Sequence, residues 1–149
     1  ARMYVMRGQM PIRTLTYYMD IPWLKFGVKL AGRLMIPTVP FKECYFLEDA
    51  LRFRAALKLP LVYVGGIVNR GNIETVLNSG FEFVQVGRAL ITQPDFVNRM
   101  REDDENPACS CGCEHKNYCI ARMYTIDMKC YKDVPDLPDC LKREMERIH

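Results

Sequence analysis

The amino-acid sequence predicts an α/β fold in which neighbouring strands run parallel. The first observation is a pair of apolar, valine-containing runs, LPLVYV and FEFVQV, each of which ends at a glycine. Continuous apolar runs are typical of strands buried on both faces of a parallel sheet. The second observation is the segment IETVLNSG between them, which reads as a short helix closed by a glycine. Since a crossover helix makes the flanking strands parallel, the stretch is predicted to form one β-loop-α-β unit.

Two helices are predicted before the first strand and one after the second. The first spans residues 22–35, where apolar residues recur at helical spacing beside a basic stripe. The basic residues are Lys25, Lys29 and Arg33. We interpret this stripe as a solvated face; the alternative is attraction of an acidic partner such as a CoA ester or a lipid surface. The second helix is predicted over residues 44–57, and a third near Pro94-Asp95, where proline and an acid suit a first turn.

Length, charge and cysteine count limit the class of protein. The chain has 149 residues, 49% of them hydrophobic, which is enough to bury a core. Its net charge of +3 is too small to predict nucleic-acid binding. Because the sequence contains no membrane-spanning apolar stretch and no signal peptide, it predicts a cytoplasmic protein. An odd number of cysteines, seven, then points to reduced thiols or metal chemistry.

Glycines end both predicted strands at the same point. Gly65 and Gly66 follow the first strand, and Gly87 and Arg88 follow the second. Backbone N–H groups at such positions are open to a group that needs close approach, and phosphate is the usual one. In (β/α)8 barrels a phosphate site is often built from the loops after the last two strands, and Arg88 would add a planar cation. Alternatively, the glycines only form tight turns and Arg88 pairs with a carboxylate.

The segments PLVYVGGI and GFEFVQVGRALITQPDF resemble, in order and spacing, the C-terminal end of the NADH:flavin oxidoreductase family, the old yellow enzyme and 2,4-dienoyl-CoA reductase group. The resemblance covers roughly residues 45–130. It implies a flavoprotein fold, the C-terminal portion of a (β/α)8 TIM barrel, with the last two βα units, flanking helices and a Cys-rich loop. The residues implied to surround the FMN phosphate are Gly65, Gly66, Gly87 and Arg88. Hydride would pass from NAD(P)H to FMN and then to an activated alkene, either an enone or an enoyl thioester.

The resemblance also implies that the chain holds only part of a barrel. Residues 1–108 would form the C-terminal part of the flavin-binding barrel, and residues 109–149 a Cys-rich loop and a helical tail. The family's flavin-ring contacts, substrate-anion pair and proton-donating tyrosine lie on earlier strands, so no catalytic residue is assigned. A complete barrel needs on the order of 200 residues or more. We therefore expect the fragment alone to be inactive, with its strand edges covered by the remaining N-terminal part of the barrel or by another chain.

A Cys-rich segment, CSCGCEHKNYC, follows residue 108. In some members of the family this segment binds a [4Fe–4S] cluster. The candidate ligands here are Cys111, Cys113, Cys119 and Cys130. The last three fit the ligand spacing, but Lys116 stands at the place of the second ligand; Cys111 could replace it if the loop bends. Alternatively, His115 could join the first three cysteines around zinc. We interpret the cysteines as reduced thiols of a loop without metal, so no metal ligand is assigned.

Two classes of function follow from these observations. The first is an FMN-dependent NAD(P)H oxidoreductase acting on a small-molecule substrate. The second is a non-enzymatic metal-binding or interaction module organised by residues 109–130. A barrel of this kind could also bind a phosphorylated metabolite instead of FMN, since one fold serves many functions.

Overall fold

The computed structural model of the chain describes residues 7–36, 38–102, 109–122, 125 and 127–148. The chain divides into two compact units: the first contains Ala1–Pro40 and Glu114–His149, and the second contains Phe41–Cys113. These two units are groups of residues that lie close together in space. The predicted division, into a barrel part at residues 1–108 and a Cys-rich loop with a helical tail at residues 109–149, is a different one and stays a prediction. In chain order the elements are α1 (Ile12–Tyr17), α2 (Pro22–Met35), α3 (Leu47–Ala56), β1 (Val62–Val64), α4 (Arg70–Asn78), β2 (Phe83–Gln85), α5 (Arg88–Thr92), α6 (Phe96–Glu102), α7 (Tyr118–Ala121), a 3₁₀ turn (Tyr131–Asp133) and α8 (Asp139–Arg147).

The second unit is built around a parallel strand pair. Strands β1 and β2 pair in parallel, with Val62 opposite Phe83 and Val64 opposite Gln85. Helix α4 connects them. The predicted β-loop-α-β unit is therefore confirmed. Both strands are three residues long, shorter than the apolar runs that predicted them.

Two helix starts differ from the predictions. Helix α4 begins at Arg70, ahead of the predicted segment that starts at Ile73. The Asn69 side chain accepts a hydrogen bond from the Asn72 backbone N–H at 2.8 Å, and the Asn72 side chain accepts one from the Asn69 backbone N–H at 3.3 Å. This reciprocal cap satisfies N–H groups of the first turn. Helix α3 begins at Leu47 rather than residue 44, since Cys44 has a left-handed φ of +48°.

The two faces of the sheet differ in burial. Tyr63 is 1% exposed and packs with Val76 and Phe81, beneath helices α3 and α4. Side chains alternate along a strand, so Val62 and Val64 point to the other face, where they are 57% and 53% exposed. Among the described residues helices cover one face of the sheet only, so burial on both faces is not met within this chain.

The first unit is helical. Helix α2 has the predicted bounds, and its Leu24 and Val28 pack against Leu15 and Met19. Helix α8 contacts the start of α1 through Glu144. The Glu144 carboxylate accepts hydrogen bonds from the Arg13 and Thr14 backbone N–H groups at 2.9 and 2.7 Å. The Arg33 side chain of the predicted basic stripe lies outside the described part of the structure. At 14 residues, α2 is the longest of the described helices, and none of them is long and apolar enough to cross a membrane.

Candidate functional site

The loops that carry the four predicted site residues leave the sheet at one edge. Gly65 and Gly66 directly follow β1, and Gly87 lies two residues beyond β2. Since Val64 is paired with Gln85, the two loops begin side by side at the carboxyl ends of the strands. This is the edge at which ligands bind in many folds with parallel sheets.

Gly65 and Gly66 are required by the approach of a neighbouring loop. Their φ angles, +127° and +72°, lie where other residues are strained. A Cβ atom on Gly65 would lie 2.9 Å from the Phe46 side chain, and one on Gly66 would lie 2.6 Å from the Cys44 backbone nitrogen. The Cys44 N–H donates a hydrogen bond to the Gly66 carbonyl at 3.1 Å. The tight turn and the close approach of residues 44–46 are therefore enough to explain why glycine occupies both positions, as the alternative interpretation of the sequence states.

Gly87 has different surroundings. Its φ of −115° lies outside the left-handed region that favours glycine, and a Cβ built on it meets no described heavy atom within 4 Å. The glycine therefore leaves space beside the backbone at the start of α5. The sequence does not predict α5, because RALIT is too short to show helical periodicity.

Arg88 is the first residue of α5 and directly follows Gly87. Its guanidinium carbon lies 5.8 Å from the centroid of the Phe41 ring, within the range of a cation–π contact. Arg88 also acts on Cys111: burial raises the pKa of this thiol, and the Arg88 cation partly opposes the increase. An open backbone position followed by a guanidinium is a combination that could hold a phosphate group, so Gly87 and Arg88 stay the predicted phosphate-binding residues.

Glu43 and Asn72 hold the loop after β1 in place. The Glu43 carboxylate accepts hydrogen bonds from the side-chain amides of Asn69 at 3.1 Å and Asn72 at 2.6 Å. The Asn72 side-chain oxygen in turn accepts from the Val68 N–H at 3.0 Å. Sequence reasoning missed both residues. The N-x-x-N spacing of Asn69 and Asn72 was the available signal, since it matches a reciprocal helix cap.

The first part of the Cys-rich segment belongs to the core of the second unit. Cys111 is fully buried and Cys109 is 7% exposed, and both pack with Val68, Ala89 and Phe96. The Cys111 N–H donates to the Val68 carbonyl at 2.9 Å, and the Arg70 N–H donates to the Cys109 carbonyl at 3.3 Å. Residues 109–111 thus run along the loop that follows β1. This placement does not fit the hypothesis that Cys111 replaces a missing cluster ligand.

An ionic cluster forms in the second part of the segment, where the resemblance implies an iron–sulfur site. The Lys116 ammonium lies 2.9 Å from the Glu114 carboxylate and 5.3 Å from the centroid of the Tyr131 ring. Lys132 and the Tyr131 hydroxyl contact the same carboxylate at 2.5 and 2.6 Å. A lysine ammonium has no lone pair for iron, and here it is also held by a carboxylate. The residues present therefore do not fit a [4Fe–4S] cluster, and among the described side chains no group of three or more His, Cys, Asp or Glu could hold a metal ion.

Glu114 should make the stability of this cluster depend on pH. Hydrogen bonds from Lys132, Tyr131 and Lys116 lower the pKa of Glu114 from 4.5 to about 2. Its stabilisation is therefore present above the ordinary pKa and is lost as pH falls from 4.5 towards 2. We expect Glu114→Gln to lower the thermal midpoint at neutral pH, and the difference from the parent protein to shrink over that acidic interval. The effect should be modest, because the Glu114 side chain is 39% exposed.

Thermal unfolding of the parent protein and of Glu114→Gln, from neutral pH down through the interval from 4.5 towards 2, would measure this effect. Glu48→Gln is the matched control, since Glu48 forms an ion pair with Arg52 but its side chain is 91% exposed. An equal effect of the two substitutions at every pH would contradict the proposed role of the cluster.

The chain is similar to three curated enzymes. It is 38% identical over 124 residues to the 4,4'-dithiodibutanoate disulfide reductase of Rhodococcus erythropolis, a match that covers 83% of this chain and 30% of that protein. It is 36% identical over 56 residues to the NADH:fumarate oxidoreductase of Klebsiella pneumoniae, covering 38% of this chain and 6% of that one. It is also 32% identical over 54 residues to the NADH:acrylate oxidoreductase of Vibrio harveyi, covering 36% and 5%.

The comparisons support a relationship at the level of oxidoreductases. The chain spans less than a third of the length of each of these relatives. No protein-family model and no solved structure matches it. The old yellow enzyme group, the barrel and the FMN site stay predictions. The expected similarity to oxidoreductases is confirmed, and two of these relatives are NADH-dependent by name.

Proposed function

We propose that this chain is the C-terminal part of an FMN-dependent NAD(P)H oxidoreductase and supplies its FMN-phosphate site. The observation that carries the proposal is the parallel β1–β2 pair, whose glycine-containing loops leave at one edge of the sheet. The space beside Gly87 and the cation of Arg88 lie at that edge. The similarity to oxidoreductases supports a redox role for this site.

The sheet has the layering expected for the wall of a (β/α)8 barrel. Helices cover the face that contains Tyr63, and the apolar side chains on the other face are exposed. These exposed side chains are Val62, Val64 and Phe83. In a closed barrel they would point inward and pack against residues of other strands. Within the described residues β1 pairs with β2 alone, so its second edge is open to a preceding strand.

A groove lined by α3 and β1 is consistent with that missing strand. It has a volume of about 740 Å³, and Ala50, Phe53, Ala56, Val62 and Val64 are among its lining residues. We propose that the remaining N-terminal part of the barrel fills this groove, and we call the polypeptide that contains both parts the long form. An open strand edge beside apolar side chains otherwise favours aggregation.

The residues of this chain bind and orient the cofactor in the proposed enzyme. FMN, when bound, supplies the hydride chemistry. Arg88 and the backbone at Gly87 hold its phosphate, and the turn at Gly65 and Gly66 shapes the adjacent wall. Glu43 fixes the loop after β1 through its contacts with Asn69 and Asn72. The groups that contact the flavin ring and the substrate come from the N-terminal part.

The substrate class has two candidates. An activated alkene is the first, because two of the relatives are named for acting on fumarate and acrylate. A disulfide is the second, favoured by the relative that matches 83% of this chain. In either case NAD(P)H is the proposed reductant.

Visible absorption spectra of the long form and of this chain alone test the proposal. We expect bound flavin in the long form only, and oxidation of NADH or NADPH with fumarate, acrylate or 4,4'-dithiodibutanoate. Metal analysis of the same samples tests the rival metal-binding module. A long form that binds no flavin would contradict the proposal, and stoichiometric zinc in its place would favour the rival.

A further inference from the structure

Helix α2 carries an uncovered apolar face. Trp23, Phe26, Leu30 and Leu34 are 75%, 69%, 79% and 90% exposed. Because they recur every three or four residues, these four side chains share one side of the helix, and we call this surface the α2 stripe. The opposite side of α2 is already packed, since Leu24 and Val28 contribute to the core of the first unit. The α2 stripe is therefore additional to the face that holds the helix in place.

The stripe is too apolar to be an ordinary solvated surface. Contiguous exposed apolar patches usually mark a site for a protein, a membrane or a ligand. The stripe includes the one tryptophan of the chain, together with a phenylalanine and two leucines. Gly27 lies beside them, and a Cβ built on it meets no described heavy atom within 4 Å. Each of the four side chains is at least 69% exposed, so the described residues leave most of this side of the helix uncovered.

Basic residues line one side of the α2 stripe. Lys29 follows Phe26 by three residues, which places it about 60° from Phe26 around the helix axis, and Lys25 lies one turn earlier. Helix α2 contains no acidic residue in its sequence PWLKFGVKLAGRLM. Residues 1–42 as a whole contain seven Lys or Arg and one acid. An apolar stripe beside a basic edge suits a bilayer of anionic lipids, which has an apolar interior and negatively charged headgroups.

We propose that helix α2 binds an anionic lipid surface and lies in the plane of the membrane interface. Trp23, Phe26, Leu30 and Leu34 enter the boundary between headgroups and acyl chains, while Lys25 and Lys29 face lipid phosphates. At 14 residues the helix is shorter than the roughly 20 residues that a span requires, so it lies on the bilayer. Pairing with a second copy of α2 is disfavoured, because it would bring together two basic helices without an acid between them.

Co-sedimentation of the long form with lipid vesicles tests this proposal. One set of vesicles contains phosphatidylcholine alone, and the other contains equal parts of phosphatidylcholine and phosphatidylglycerol. We expect binding to the second set, weakening as ionic strength rises. Removal of one basic residue from a membrane surface weakens binding about fivefold, so Lys29→Glu should weaken it by at least that factor. Leu34→Ser should weaken it about tenfold, because it removes buried apolar area.

Matched variants in the second unit provide the controls. Lys58→Glu makes the same change in net charge at another exposed lysine, and Leu77→Ser makes the same apolar change at a leucine that is 43% exposed. Neither should change vesicle binding. The proposal is overturned if the long form binds neither type of vesicle, or if Lys29→Glu and Lys58→Glu weaken binding equally.

Two further measurements identify the other possible occupants of the stripe. If Leu34→Ser lowers the thermal midpoint of the long form without changing vesicle binding, the rest of the polypeptide covers the stripe. If gel filtration reveals a dimer that Leu34→Ser dissociates, a second copy covers it. Either result overturns the proposal. Flavin content is measured on the same samples, so a failure of the FMN site is recognised separately from a failure of lipid binding.

Discussion

Replacing Arg88 with alanine in the long form should weaken FMN binding about 10- to 100-fold, because a hydrogen bond to a charged group contributes about 1.5–3 kcal/mol. The loss should be specific to the phosphate. Riboflavin lacks that group, so its affinity should be nearly the same in the Arg88→Ala variant and the parent protein. Titration of the apo long form with each flavin, followed by flavin fluorescence, measures both affinities.

Arg88→Lys separates charge from geometry at the same position. It keeps the positive charge but loses the planar fork that contacts two phosphate oxygens, so an FMN affinity between those of Arg88→Ala and the parent protein is expected. The Phe41 ring stays available to a lysine ammonium as a cation–π partner. Equal losses of FMN and riboflavin affinity in Arg88→Ala would mean that Arg88 supports the fold of the loop and does not bind phosphate.

Gly66→Ala should have the largest effect on stability, with an expected loss of about 2–4 kcal/mol in the free energy of unfolding. The φ of +72° is unfavourable for alanine, and the new Cβ would lie 2.6 Å from the Cys44 backbone nitrogen. Backbone cannot move aside as a flexible side chain can, so the loop at residues 42–46 must shift. Urea unfolding of the long form, followed by far-UV circular dichroism, gives the change in midpoint.

Gly87→Ala is the matched control for that prediction. Its φ of −115° lies outside the left-handed region and its Cβ would enter open space, so stability should change by no more than about 0.5 kcal/mol. FMN affinity should nevertheless fall, because the added methyl group occupies space proposed for the phosphate. Destabilisation by Gly87→Ala as large as that by Gly66→Ala would contradict the difference between the two loops.

Local sequence signals were sufficient for much of the fold. Helix α2 was predicted with its observed bounds because its apolar residues recur with helical period. The parallel direction of β1 and β2 followed from the crossover helix between them. The start of α4 was missed because Asn69 and Asn72 form a reciprocal cap, which the sequence presents only as polar residues of a loop.

Features that depend on distant residues could not be predicted. Gly65 and Gly66 were recognised as permissive positions, but their close contact with residues 44–46 depends on how a distant loop folds back. The same holds for Glu43, whose partners Asn69 and Asn72 are 26 and 29 residues away. The exposure of Val62 and Val64 within this chain could not be predicted, because apolarity indicates that a strand needs cover without indicating which segment supplies it.

The run of residues 109–111 along the loop after β1 has a kinetic consequence. Cys111 is fully buried, and its N–H donates a hydrogen bond to the Val68 carbonyl. A thiol reagent can therefore reach the Cys111 sulfur only after residues 109–111 detach from this loop. The rate at which iodoacetamide modifies Cys111 would thus report how often that loop opens. Cys140, which is exposed, would react at the rate of an accessible thiol and provide an internal standard. The ratio of the two modification rates would therefore measure how often residues 109–111 detach from the loop after β1.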